Sequence, residues 1–100
     1  MSEESEITQY FMEHPDQYAV IKDDKLIEFL ERLLQQALSE DEINFLYKQN
    51  AKKIMKNALD LQFIEKIMVA GKARYFVTQT AKIFLQERAK LRKSYGIFNS

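Results

Sequence analysis

The chain holds no cysteine, no tryptophan, one histidine, one proline and two glycines among 100 residues, and each scarcity closes off a class of chemistry. Without thiols there is no disulfide framework, zinc ribbon or thiolate nucleophile. With His14 as the single imidazole, a histidine-rich metal site is excluded and any Ser-His pair must use that one residue. Two glycines do not furnish a glycine-rich phosphate loop, and with one proline they leave few turns for a sandwich or barrel of short strands. No segment approaches the roughly 18 apolar residues of a membrane span, and Met1 to Glu6 is polar and acidic with no apolar run behind it. The absences predict a mainly helical, cytoplasmic protein that is not an enzyme and needs no metal or cofactor.

What is present suits one core. Hydrophobic residues make up 46% of the chain and aromatics 12%, which folds, and the length allows a single domain. Fifteen basic residues against fifteen acidic ones give a net charge of zero, which by itself argues against a polyanionic partner. The distribution reverses that inference. Residues 1–47 carry 3 basic and 12 acidic side chains, a net of −9, whereas residues 48–100 carry 12 basic and 3 acidic, a net of +9. Such asymmetry points either to a polyanion bound by the second half or to attraction between halves, within one chain or between two copies.

Hydrophobic spacing predicts the elements. Ser5 caps a short helix over residues 5–13, with Ile7, Tyr10 and Phe11 on one face and Pro15 ending it. Residues 16–22 are too short to assign. Asp23 or Asp24 caps a strong amphipathic helix whose inner face is Leu26, Ile27, Leu30, Leu33, Leu34, Ala37 and Leu38. A sharp turn at Leu38 and Ser39 follows, where Ser39 with Glu42 makes a capping-box pattern for a second helix facing inward through Ile43, Leu46 and Tyr47. A third helix runs from about Asn50 to Leu61 and buries Ala51, Ile54, Met55, Ala58 and Leu61. One continuous helix from Glu40 to Leu61 also fits, because neither glycine nor proline interrupts it.

Beyond Gln62 the texture changes to strand formers flanking Gly71, and a two-residue Gly71-Lys72 loop fits a type II′ hairpin. Thr78 or Thr80 then caps a last helix that buries Ala81, Phe84, Leu85 and Leu91 and runs to about Ser94 before Gly96. His14-Pro15-Asp16 matches the tripeptide of J-domain co-chaperones but lacks their preceding basic helical hairpin, and is read as coincidence.

Three helices, the last two separated by a tight turn, followed by a hairpin and a helix make up the order of a winged helix-turn-helix. Leu59 to Thr80, and within it Tyr75, Phe76, Val77 and Thr78 after the turn, resemble the end of the recognition helix and the wing of winged-helix transcription regulators. Two positions depart from that pattern: Gln62-Phe63 stands where glycine usually ends the recognition helix, and Ala81 where glycine often follows the wing. The resemblance covers about residues 24–92 and implies a division into an N-terminal helix or extension (1–22), a winged-helix domain (23–94) and a tail (95–100).

The resemblance also implies a function: a small DNA-binding regulator that reads duplex DNA with its third helix and grips phosphate with its wing. On the third helix the candidates are Gln49, Asn50, Lys52, Lys53, Lys56 and Asn57, since lysine reaches guanine or phosphate and Asn or Gln pairs with adenine. On the wing they are Lys66, Lys72 and Arg74, meeting phosphate or the minor groove. Arg88, Lys90, Arg92 and Lys93 form a further basic cluster on the last helix. A homodimer is expected, with Tyr10, Phe11, Tyr18, Leu26, Leu30 and Leu34 serving as core or as its seam. The alternative is a winged-helix adaptor that binds protein and not DNA.

Overall fold

A computed structural model describes residues 9–95, with side chains described to Leu91. After a helical turn at 9–12 come α1 (Pro15–Tyr18), α2 (Asp24–Gln35), β1 (Leu38–Ser39), α3 (Glu40–Tyr47), a 3₁₀ turn (Lys48–Asn50), α4 (Ala51–Asp60), β2 (Ile64–Val69), β3 (Lys72–Val77) and α5 (Gln79–Tyr95). The protein is mainly helical, with a three-stranded antiparallel sheet in the order β1-β3-β2.

The helix starts follow from local chemistry. Asp23 accepts the Leu26 N–H at 3.2 Å and caps α2. Ser39 and Glu42 form the full capping box of α3: the Ser39 hydroxyl accepts the Glu42 N–H at 3.1 Å and the Ser39 N–H donates to the Glu42 carboxylate at 2.8 Å. Thr78, rather than Thr80, caps α5 by accepting the Ala81 N–H at 3.2 Å.

Several expectations need correction. The turn at Leu38 and Ser39 is a short strand, β1, paired Leu38↔Tyr75 and Ser39↔Arg74, so the hairpin is part of a three-stranded sheet. Accordingly α2 stops at Gln35, and Ala37 and Leu38 lie beyond it, Gln36 being extended. Leu34 and Leu46, assigned to inner faces, are exposed, whereas Phe29, which the inner face of α2 left out, is fully buried. A continuous helix from Glu40 to Leu61 does not form, because Lys48 takes a left-handed φ of 51° and a 3₁₀ turn separates α3 from α4. The hairpin loop is Ala70-Gly71, since Val69 pairs with Lys72. With φ of 52° at Ala70 and 80° at Gly71, both central residues are left-handed, the signature of type I′ and not II′. Helical residues in the first segment stop at 12 rather than 13, while Ser5 and Ile7 lie outside the described residues.

The unassigned stretch 16–22 forms α1 and turns that bury Gln17 and Ile21. The core is aromatic at its centre. Phe84 of α5 stacks on Phe63 with centroids 4.7 Å apart and takes the edge of Phe11 at 6.3 Å. Full burial of a phenylalanine stabilises by about 1.5–3 kcal/mol, so Phe84 fastens both the N-terminal segment and the base of the hairpin to α5.

Candidate nucleic-acid interface

The i, i+3, i+7 spacing of Ala51, Ile54 and Ala58 turns that stripe of α4 into the core and leaves Lys52, Lys53 and Lys56 exposed on the other side. No acidic residue stands in the first turn of α4. Lys56 pairs with Asp60 at 2.9 Å, an exposed contact, whereas Lys52 and Lys53 make no ion pair among the described residues. Gln49 is exposed and Asn50 half-buried in the 3₁₀ turn that leads into the helix, and the Asn50 side chain makes no capping bond. Asn57 is half-buried.

This face has an acidic border. A shallow groove along α4 is lined by Lys52, Met55, Lys56, Leu59 and Asp60 from α4 and by Glu40 and Asn44 from α3. Glu40, Asp41 and Glu42 all fall in the first turn of α3, where carboxylates suit the positive end of the helix dipole. The cationic strip therefore runs along one helix and stops at the start of another.

The hairpin lysines and arginine do not form one cluster. Pairing Lys66↔Tyr75 and Ile67↔Arg74 places Lys66 with Ile64, Met68, Tyr75 and Leu38 on one face of the sheet. Lys72 and Arg74 lie on the opposite face with Glu65, Ile67, Val69 and Phe76. Arg74 also stands opposite Ser39, well back from the hairpin tip, and its guanidinium is 3.9 Å from Glu42. The Glu42 carboxyl is held below its ordinary value first by the Ser39 N–H and also by the Arg74 charge, and burial opposes this. Lys66 and Lys72 are exposed.

The cluster expected on the last helix is also divided. Arg88 is 7% exposed and its Nε donates to the Ile21 carbonyl at 2.6 Å. Lys90 pairs with Glu87 at 3.3 Å, and the side chains of Arg92 and Lys93 lie outside the described residues. His14 stacks on Tyr10 with centroids 4.2 Å apart, and its Nδ1 is 2.8 Å from the Tyr10 carbonyl oxygen. Among the described residues no three His, Asp or Glu side chains are grouped to hold a metal ion, and no helix is long and apolar enough to cross a membrane.

No protein-family model, curated protein or solved structure matches the chain.

Two features escaped the sequence reading. Lys48, at the elbow between α3 and α4, lies over the Phe45 ring at 5.1 Å. Ile67, Met68 and Val69, taken as strand residues, are all exposed. The second was legible, since three apolar residues in a row next to a two-residue turn cannot all face the core of a one-sided sheet.

Proposed function

We propose that the protein is a winged-helix DNA-binding protein, a transcription regulator in which α4 enters the major groove and the β2–β3 hairpin is the wing. The supporting topology is the sequence α2-β1-α3-α4-β2-β3 with β1 paired to β3. The observation that carries the reading is the outer face of α4: Lys52, Lys53 and Lys56 project from a helix whose opposite stripe is anchored in the core. Lysines there neutralise phosphate and reach guanine, while Gln49, Asn50 and Asn57 supply the amides that pair with adenine.

Lys72 and Lys66 add phosphate contacts from the two faces of the wing, and Arg74 contributes less because Glu42 partly engages it. The protein works as a homodimer. Of the seam residues, Phe11, Leu26 and Leu30 are core and Tyr10 is half-buried, so Tyr18 and Leu34, both exposed, are the groups offered to a second copy. Such a protein acts in the cytoplasm, associated with the nucleoid, and has no catalytic role.

The test is fluorescence anisotropy of labelled duplex DNA from about 50 mM salt upward, where counterion release gives a slope of about −0.9 per neutralised phosphate. Lys52→Glu with Lys53→Glu weakens binding and flattens that slope. Phe45, 74% exposed on α3 beside Leu46, favours the second reading, a protein-binding adaptor. Salt-independent or absent DNA binding, with a partner chain held after both charge reversals, decides for it.

A further inference from the structure

We propose that the tip of the β2–β3 hairpin is an apolar wedge that enters the minor groove of duplex DNA, unstacks a base step and bends the duplex. The inference rests on the DNA-binding reading and adds to it a deformation of the DNA with its own residues.

Ile67, Met68, Val69 and Ala70 are four consecutive apolar residues, all exposed, Met68 at 61%. Scattered exposed apolar residues are ordinary, but an uninterrupted run at a hairpin tip is not required by the core beneath it. Strand alternation sets Met68 on one face of the ribbon and Ile67 and Val69 on the other, so the tip is apolar on both sides. The connection is as short as a hairpin allows, two residues, Ala70 and Gly71. Paired strands lie about 4.8 Å apart, and with its side chains the ribbon is wider than a minor groove of about 6 Å, so the tip enters only by opening that groove, which is what apolar side chains inserted between base steps do.

Charge selects the occupant. Residues 66–74 contain Lys66, Lys72 and Arg74 and no Asp or Glu; Lys72 is exposed on the rung next to the loop, and Lys66 is exposed on the opposite face three rungs further back, one behind Arg74. Lys72 meets phosphate beside the inserted tip, and Lys66 meets it from the other face further along the ribbon. Methionine, isoleucine and similar side chains inserted between bases partly unstack them and kink the duplex by about 20–90°. Pyrimidine–purine steps yield most readily, so a TA step at the wing position is favoured over an A-tract.

The experiment measures end-to-end energy transfer on a doubly labelled duplex of about 25 base pairs, with either a central TA step or an A-tract, alongside anisotropy for binding. Wild type is compared with Met68→Ser/Val69→Ser and with Lys52→Glu/Lys53→Glu, each checked by thermal melting; exposed positions leave the melt unchanged. Expected are bending by wild type, a preference of about tenfold for the TA duplex, and loss of both in the Met68/Val69 variant while salt-dependent binding persists. Binding without bending, or equal bending by the variant, overturns the wedge and leaves the DNA reading standing. Absence of any DNA binding by wild type overturns both. Sedimentation with anionic phosphatidylglycerol vesicles that depends on Met68 and Val69, without DNA bending, reassigns the tip to a lipid surface and overturns the wedge.

Discussion

The Thr78 hydroxyl donates a hydrogen bond to the Gln62 carbonyl at 2.6 Å, joining the residue after the hairpin to the chain two residues before it. The same oxygen accepts the Ala81 N–H at 3.2 Å, and the Thr78 N–H donates to the Phe63 carbonyl at 2.9 Å. One side chain thus closes the base of the hairpin and starts α5. A cap is worth about 1 kcal/mol and a further hydrogen bond about 1 kcal/mol. Thr78→Ala is therefore expected to lower stability by about 2 kcal/mol in urea denaturation, and Thr78→Ser to retain most of it. Equal losses in both variants place the effect in the methyl group and contradict the hydroxyl's role.

Gln62 itself is strained. Its φ is 61°, its N–H donates to the Leu59 carbonyl at 3.0 Å, and the Phe63 N–H donates to the Ala58 carbonyl at 2.8 Å, the paired bonds of a Schellman close with glutamine where glycine usually stands. A left-handed conformation costs a side-chain-bearing residue about 1–2 kcal/mol, and glycine returns part of that gain through a freer unfolded chain. Gln62→Gly is expected to raise stability by about 0.5–1 kcal/mol; a lower melting temperature contradicts this.

That residue also shows how far the sequence could be read. Gln62 stood out as a departure from the glycine pattern, and it occupies the conformation that glycine would. The amphipathic stripes of α2 and α4 and the capping box at Ser39 were legible because each rests on contacts within one helix. Phe29 lay within reach of the same spacing, three residues after Leu26. The strand β1 was not legible: two residues carry no alternation, and their pairing depends on β3 more than 30 residues away. The division of Lys66 from Lys72 and Arg74 followed only from the hairpin register, and Arg88 reads as one more cation until its partner at Ile21 is known.

Arg88 provides a further test. Its aliphatic stem is buried and its Nε holds the Ile21 carbonyl, tying α5 to the segment that precedes α2. Hydrogen bonds from charged donors contribute about 1.5–3 kcal/mol, so Arg88→Ala is expected to destabilise by about 2–3 kcal/mol. Hydrogen exchange is expected to quicken at the amides of residues 15–22. An Arg88→Ala melt equal to that of wild type contradicts the assignment.

Tyr47 and Glu28 give the stability a pH dependence. Burial first, and then the hydrogen bond to Glu28, push the Tyr47 hydroxyl up from 10.0 to about 12. A raised folded value means stability that is present below pH 10 and lost as pH rises toward 12. Burial raises the Glu28 carboxyl, but the bonds from Tyr47 and Arg32 outweigh it and hold the group below 4.5. Its contribution is present above pH 4.5 and lost as pH falls through the lower folded value. Urea melts from pH 3 to 12 are expected to show both declines, and Tyr47→Phe to flatten the alkaline one; an unchanged alkaline limb in that variant contradicts the linkage.

The central claim is that the α4 face binds duplex DNA, and the most direct measurement is the salt dependence of that binding in wild type and in the Lys52→Glu/Lys53→Glu variant. The expected result is a linear fall of log affinity with log salt, with the variant weaker and its slope shallower by about 2. Binding that ignores salt, or a variant that binds as wild type does, contradicts it.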